Sequence, residues 1–228
     1  MINDISDLIA LDESNKYILI REINSDSYVE KNLSTHIVND VVCLSEINEA
    51  LNKVFPYFPI KNTSIVDSSI NQNQCIKEII EASILQRSGP KVKLVTTNCN
   101  VTTHLNLAKR YITEINNFIY KYNIKRIYWS PIMCYFGEDM NYFGTIDLVL
   151  DNGNSFFIIG IKTSRTNYNE RYSSQLFLEK KMFEYCTDKK IASAFILNVK
   201  APQVWFECKD LDKKSIFKLQ NYFKNLKD

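Results

Sequence analysis

Phe143-Gly144-Thr145-Ile146-Asp147-Leu148-Val149-Leu150, then Asp151-Asn152-Gly153-Asn154, then Ser155-Phe156-Phe157-Ile158-Ile159-Gly160-Ile161-Lys162-Thr163-Ser164 is the stretch that decides how the chain is read. Its two outer segments are rich in β-branched and aromatic residues and read as strands. Asn152-Gly153 between them is the strongest hairpin signal in the chain, because a tight hairpin turn needs positive φ at its centre. Phe156 to Ile159 is apolar on both faces, as a central strand should be. Asp147 is read near the middle of its strand. Gly160 and Lys162 are two apart and therefore share one face of the next. The hairpin sets Leu150 opposite Ser155 and Asp147 opposite Ile158, and sheet twist then carries Asp147 toward positions 160 and 162.

The flanking segments supply helices. Thr102 to Tyr122 is the clearest, with His104, Leu107, Ala108, Tyr111, Ile115, Phe118 and Tyr122 on one face and Thr102 or Thr103 as its cap. Upstream, Asn71 to Leu85 carries Ile76, Ile79, Ile80 and Ile84 as a stripe and stops at Ser88-Gly89-Pro90. Lys91 to Thr97 alternates like a short strand. Val41 to Phe55 has helical spacing until Pro56 and Pro59 interrupt it. Tyr17-Ile18-Leu19-Ile20 is a strand candidate. Downstream, Arg126 to Tyr135 reads as one strand and Gly137 to Asn141 as a turn. Asn169 to Thr187 is a helix, Ile191 to Val199 and Gln203 to Cys208 are strands, and Ser215 to Leu226 is a closing helix. The expectation is an α/β fold with a central mixed sheet flanked by helices and a mostly helical N-terminal portion. Residues 1–228 form one domain, with 1–100 as the helical portion and 101–228 as the core.

A chain of 228 residues suits one sizeable core. Apolar residues at 45%, with only five glycines and five prolines, exclude a linker-rich protein. A net charge of +2 excludes a general nucleic-acid coating protein but leaves room for a local basic groove. The six cysteines, Cys43, Cys75, Cys99, Cys134, Cys186 and Cys208, form no C-x-x-C pair. That excludes a zinc ribbon or clustered iron–sulfur site, and reduced thiols in an intracellular core are expected. There is no leader-like start and no run near the roughly 20 apolar residues of a membrane span. The expectation is a soluble intracellular protein without a membrane partner, cytoplasmic or in a mitochondrial or viral replication compartment.

Asp147 and Lys162 on adjacent strands suit metal-assisted phosphodiester cleavage, which needs carboxylates around a hard cation and a group that handles the attacking water. With His104 and Gln175 added, the chain from about His104 to Cys208 resembles the PD-(D/E)XK nucleases. Within them it is most similar to the RecB-type branch that includes Cas4 and the mitochondrial genome-maintenance exonucleases. Thr102-Thr103-His104-Leu105 matches a histidine early in a helix, and Gly144-Thr145-Ile146-Asp147 matches a Gly-x-x-Asp strand. Gly160-Ile161-Lys162-Thr163-Ser164 matches an acid-x-Lys-Thr strand end except for the acid, and Ser174-Gln175-Leu176 matches a glutamine in the following helix. The resemblance implies a restriction-endonuclease-like core and a DNA nuclease dependent on Mg²⁺ or Mn²⁺, an exonuclease at DNA ends or single strands in replication, recombination or repair. It makes His104, Asp147 and the backbone carbonyl of Ile161 metal ligands. Lys162 becomes the catalytic lysine, and Gln175 its orienting partner. Thr163, Ser164, Arg165, Tyr168 and Arg171 would line the mouth of the nucleic-acid groove, with residues 1–100 arching over it. Each has a plainer reading: His104 as a hydrogen-bonded core histidine, Lys162 as a strand-end lysine, and the basic loop as solvated surface.

Gly160 stands where the family has its second acid. Three explanations follow. It is a substitution, deliberate or accidental, in an active enzyme. Or the acid has moved, with Glu179, one turn beyond Gln175, as the candidate replacement and Glu170 and Glu138 as poorer ones. Or catalysis is lost and a nucleic-acid-binding or scaffolding module remains.

Overall fold

Two neighbouring strands break at the same level, and that shared break sets the plan of the molecule. In the first, Ser130 takes a left-handed backbone (φ 49°) and is followed by Pro131, which has no N–H to give a ladder. In the second, the chain turns at Ile146-Asp147. The two breaks stay bonded to each other, Ser130 N to Asp147 O at 3.1 Å and Ile146 N to Pro131 O at 3.0 Å. The computed structural model describes residues 17–21, 28–32, 45–56, 63–137, 139–164 and 168–226.

In chain order the described elements are β1 (Tyr17–Arg21), β2 (Tyr28–Asn32), β3 (Ser45–Glu46), α1 (Ile47–Val54), α2 (Thr63–Leu85), α3 (Thr102–Tyr122), β4 (Arg126–Trp129), β5 (Ile132–Phe136), β6 (Asn141–Thr145), β7 (Leu148–Asp151), β8 (Phe156–Ile161), α4 (Glu170–Thr187), β9 (Ile191–Leu197), β10 (Trp205–Glu207) and α5 (Lys213–Lys224). The central sheet runs β10-β9-β8-β7-β4, a second sheet runs β3-β6-β5, and β1 pairs with β2. The central sheet is mixed: β8 and β9 are parallel and its other pairs antiparallel. The expected α/β architecture is what forms. The single strand expected from Arg126 to Tyr135 is instead β4 and β5, and that from Phe143 to Leu150 is β6 and β7, in different sheets. Asp147 is therefore not near the middle of a strand but in the link between two.

Strand alternation sends β8 side chains to opposite layers. Phe157, Ile159 and Ile161 join a core with Ile76, Ile79 and Ile80 of α2 and Tyr111 and Ile115 of α3. Ile158 joins a core with Leu176, Met182 and Phe183 of α4 and Leu219 and Phe223 of α5. The sheet thus lies between two helical layers, and Gly160 and Lys162 belong to the α4 side.

The hairpin register differs from the expected one by one step on each strand. Leu148 lies opposite Ile159 and Asp151 opposite Phe156, which brings Asp147 level with Gly160 rather than Ile158. Side chains cause the shift. Asp151 stays in the strand, where its carboxylate accepts from Gly153 N at 2.6 Å and Arg126 Nε at 2.7 Å. Ser155 stays in the turn, because its N–H goes to Asn152 Oδ1 at 2.8 Å. Gly153, at φ +93°, supplies the left-handed residue the turn needs.

Lys91 to Thr97 forms no strand. Its backbone groups are satisfied by helix side chains instead: Val92 N by Asn116 Oδ1 at 2.8 Å, Val92 O by Asn116 Nδ2 at 2.9 Å, and Val95 N by Ser83 Oγ at 2.9 Å. Among the described residues, no helix is long and apolar enough to cross a membrane.

The expectation of reduced cysteines fails at one pair. Cys75 of α2 and Cys99, just ahead of α3, form a disulfide with Cα atoms 6.0 Å apart, while Cys186 and Cys208 are free. Cys43 lies outside the described residues. The bridge closes a loop of 24 residues in sequence separation, so its reduction should lower stability by about 3 kcal/mol on loop-entropy grounds. Urea unfolding with and without reductant, repeated on a Cys75→Ala/Cys99→Ala double variant, measures this. Reductant should act on the parent chain and leave the variant unchanged.

Candidate active site

Asp147 is buried in the link between β6 and β7. A carboxylate there needs partners, since a buried unpaired charge is expensive. One comes from the neighbouring strand: Ile161 N donates to Asp147 Oδ2 at 2.8 Å. The other comes from the opposite helical layer: Lys77 Nζ of α2 lies 2.5 Å from Asp147 Oδ1.

Lys162 follows directly. Its N–H continues the parallel pairing to Leu197 O at 2.9 Å, and its carbonyl accepts from Tyr111 Oη of α3 at 2.6 Å. With the backbone held on both sides, the side chain runs toward α4. Its Nζ donates to Gln175 Oε1 at 2.5 Å and lies 5.2 Å from the Tyr172 ring centroid. Gln175 Nε2 passes the contact on to Glu179 Oε1 at 2.6 Å, one helical turn along, the spacing at which helix side chains meet. Glu179 is fully buried, and its Oε2 has no hydrogen-bond partner among the described residues.

The charges respond to this packing. Burial pushes the Asp147 carboxyl up, but Lys77 and then Lys162 outweigh it, and the net value falls below the usual carboxylate range. Lys77 is raised, chiefly by the Asp147 charge. Burial lowers Lys162, against the pull of Asp147 and Glu179. Burial, reinforced by the Asp147 charge, pushes Glu179 up to about 8.

Gly160 is packed rather than open. A Cβ there would meet Ile196 Cδ1 at 3.0 Å and Leu176 Cδ2 at 3.3 Å. A side chain at this position would have to displace the ends of two apolar side chains by a few tenths of an ångström.

Asp147, Lys162, Gln175 and Glu179 therefore come together as one cluster. Lys77 belongs to it as well, although no local pattern marked it: it is a lysine on the Ile76–Ile80 helix, 70 residues from its partner. His104 makes its contact with the disulfide rather than with Asp147. Its Nδ1 is 3.7 Å from Cys99 Sγ. Cys75, Cys99 and His104 are the only three His, Cys, Asp or Glu side chains among the described residues whose ligand atoms all lie within 4.8 Å of one another.

The groove residues are largely engaged within the protein. Thr163 Oγ1 bonds Asn73 Oδ1 at 3.2 Å, and Ser164 Oγ bonds Tyr172 Oη at 2.8 Å. Tyr168 stacks on Phe206 at 3.5 Å between centroids. Arg171 reaches Phe55 O at 3.1 Å and Asn52 Oδ1 at 2.8 Å, tying α4 to α1. Glu170 contacts Ser215 and Lys218 of α5. Arg165 and Glu138 lie outside the described residues. A cleft of about 480 Å³ between α4 and the β9–β10 edge, lined by Phe177, Lys180, Ser193 and Cys208 among others, contains none of the cluster.

No protein-family model matches the chain, and no curated protein sequence matches it. Solved structures that it resembles include a protein from Eubacterium rectale provisionally named an exonuclease, 11% identical, with 80% of this chain and 79% of that one covered and a TM-score of 0.49. Another is SSO0001, 14% identical, with 80% and 85% covered and a TM-score of 0.35. Neither likeness is close enough to carry an argument about the site.

Glu179 gives a direct test of the geometry. Its folded value of about 8 lies above the ordinary carboxyl value of 4.5. The neutral acid is therefore compatible with the fold at low pH, and that stability is lost as the pH rises from 4.5 to 8. Glu179→Gln removes the titration. Relative to the variant, the parent chain should lose up to about 1.4 kcal/mol per pH unit across this window. Unfolding curves for the two proteins at stepped pH check it, and parallel pH profiles would place Glu179 in solvent.

Proposed function

We propose that the chain is a nuclease-type phosphodiesterase whose second acid has moved from β8 to α4. The observation that carries this reading is the Glu179 carboxylate. It is buried, it is linked through Gln175 to Lys162, and its Oε2 has no partner among the described residues. An orphaned buried oxygen is costly and calls for an explanation; a cation contacted from this side would provide one.

Two carboxylates and a backbone carbonyl are the oxygen donors that a hard divalent ion, Mg²⁺ or Mn²⁺, takes. Asp147 and Glu179 would hold it, with the Ile161 carbonyl as the third oxygen that the family resemblance implies. The place of His104 beside Cys99 supports leaving it out of this shell. When bound, such an ion supplies positive charge to the scissile phosphate and activates water. Lys162, aimed by Gln175 and Tyr172, neutralises charge gathering on the phosphate. Ile161 N–H fixes the Asp147 carboxylate in orientation. Leu176 and Ile196 keep water from the Gly160 side. The substrate on this reading is DNA, at ends or as a single strand, met in replication, recombination or repair.

Lys77 on Asp147 and the filled space at Gly160 favour a second reading, a non-cleaving module on the same fold that binds nucleic acid. Labelled single- and double-stranded DNA incubated with the protein and Mn²⁺ separates the two. Cleavage is expected, and Lys162→Ala, Asp147→Asn and Glu179→Gln should each reduce it by about 100-fold or more. Binding without cleavage, insensitive to Lys162→Ala, establishes the second reading.

Gly160→Asp supplies a further check. If the acid has moved, restoring one at position 160 does not raise cleavage. It should instead cost about 1–3 kcal/mol through overpacking against Leu176 and Ile196. A gain of activity in Gly160→Asp would instead show that the acid had been lost rather than moved.

A further inference from the structure

We infer that Lys77 is a tethered counter-cation that occupies the ion-binding side of Asp147 and must release it before a divalent ion can bind. The inference rests on the ion site proposed above. Asp147 has two carboxylate oxygens, and one is committed to the Ile161 amide at 2.8 Å. The other is met by the Lys77 ammonium at 2.5 Å. A divalent ion bound to that oxygen would lie against the ammonium, and like charges at such separations repel strongly in a partly buried site. The lysine and the ion therefore exclude each other.

The surroundings make the lysine side chain the moving part. The α2 backbone is held in place around it. The disulfide Cys75–Cys99 anchors it two residues away, Asn73 bonds Thr163 at 3.2 Å, Gln72 bonds Lys200, and Ile76, Ile79 and Ile80 are fully buried. The Lys77 side chain itself keeps 33% of its surface exposed, against 10% for the Asp147 side chain. It can swing into water on its flexible four-carbon stem, whereas Asp147 cannot follow. Without an ion, Lys77 keeps the buried carboxylate paired. With one, it is released at the mouth of the same site, where it can meet substrate phosphate.

The test measures ion binding rather than cleavage. Mn²⁺ is titrated calorimetrically into the full chain as the parent, Lys77→Met and Asp147→Asn. Lys77→Met should bind about tenfold or more tightly than the parent, and Asp147→Asn should not bind. Equal or weaker affinity in Lys77→Met overturns the competition while leaving the ion site standing. Binding by neither the parent nor Lys77→Met removes the ion site and the competition with it. A second measurement needs no variant. Amine-reactive labelling read by mass spectrometry should modify Lys77 severalfold faster when Mg²⁺ is added, and an unchanged rate in a chain that binds the ion overturns the inference.

Discussion

A buried carboxylate at the point where two sheets part is the constraint on which the rest of the structure turns. Asp147 sits in the link between β6 and β7, where its buried carboxylate would be stranded without side-chain and amide partners. Its two oxygens draw in β8 through the Ile161 amide and α2 through Lys77. The contact that satisfies the acid thus joins the central sheet to one of its helical layers. Removing one partner of such a pair leaves an uncompensated charge, so packing and site chemistry cannot be varied independently here.

The opposite layer is organised by volume rather than charge. β8 turns Phe157, Ile159 and Ile161 toward α2 and α3, which leaves Ile158, Gly160 and Lys162 facing α4. Leu176 and Ile196 pack so close to Gly160 that a Cβ there would crowd both. The acid at this level comes from α4 instead. Gln175 and Glu179 are one turn apart on that helix, so the lysine, amide and carboxyl align along it. Glycine on the strand and glutamate on the helix are two aspects of one packing solution.

Much of this was legible in the sequence, for reasons that differ by residue. The helix from Thr102 to Tyr122 was readable because its apolar stripe is long and periodic. The β7–β8 hairpin was readable because Asn152-Gly153 specifies its turn, and Glu179 because helical spacing ties it to Gln175. The register was not, because it depends on where the Asp151 carboxylate and the Ser155 amide find partners. Of the paired breaks, the one at Ser130 carries a local mark in Pro131, which cannot give a ladder N–H, whereas the one at Asp147 carries none and shows only in its bonding to Ser130 and Pro131. The Lys77–Asp147 pair and the Cys75–Cys99 bridge connect positions that no local periodicity relates.

Glu179 carries the argument about function further than the motif does. A glutamine at this position would keep one contact to Gln175 without burying an ionisable group. A leucine would remove the unpartnered oxygen altogether, and replacing buried polar groups with apolar ones of similar shape is often neutral or stabilising. The chain instead keeps a carboxyl whose burial opposes ionisation, next to a second acid that opposes it further. Two acids and two lysines share one enclosed cluster, yet one Glu179 oxygen has no partner among the described residues. Such an arrangement is costly if its only role is to fill space. It makes sense if the unused oxygen and the Asp147 oxygen now held by Lys77 are two halves of a site completed from outside the chain.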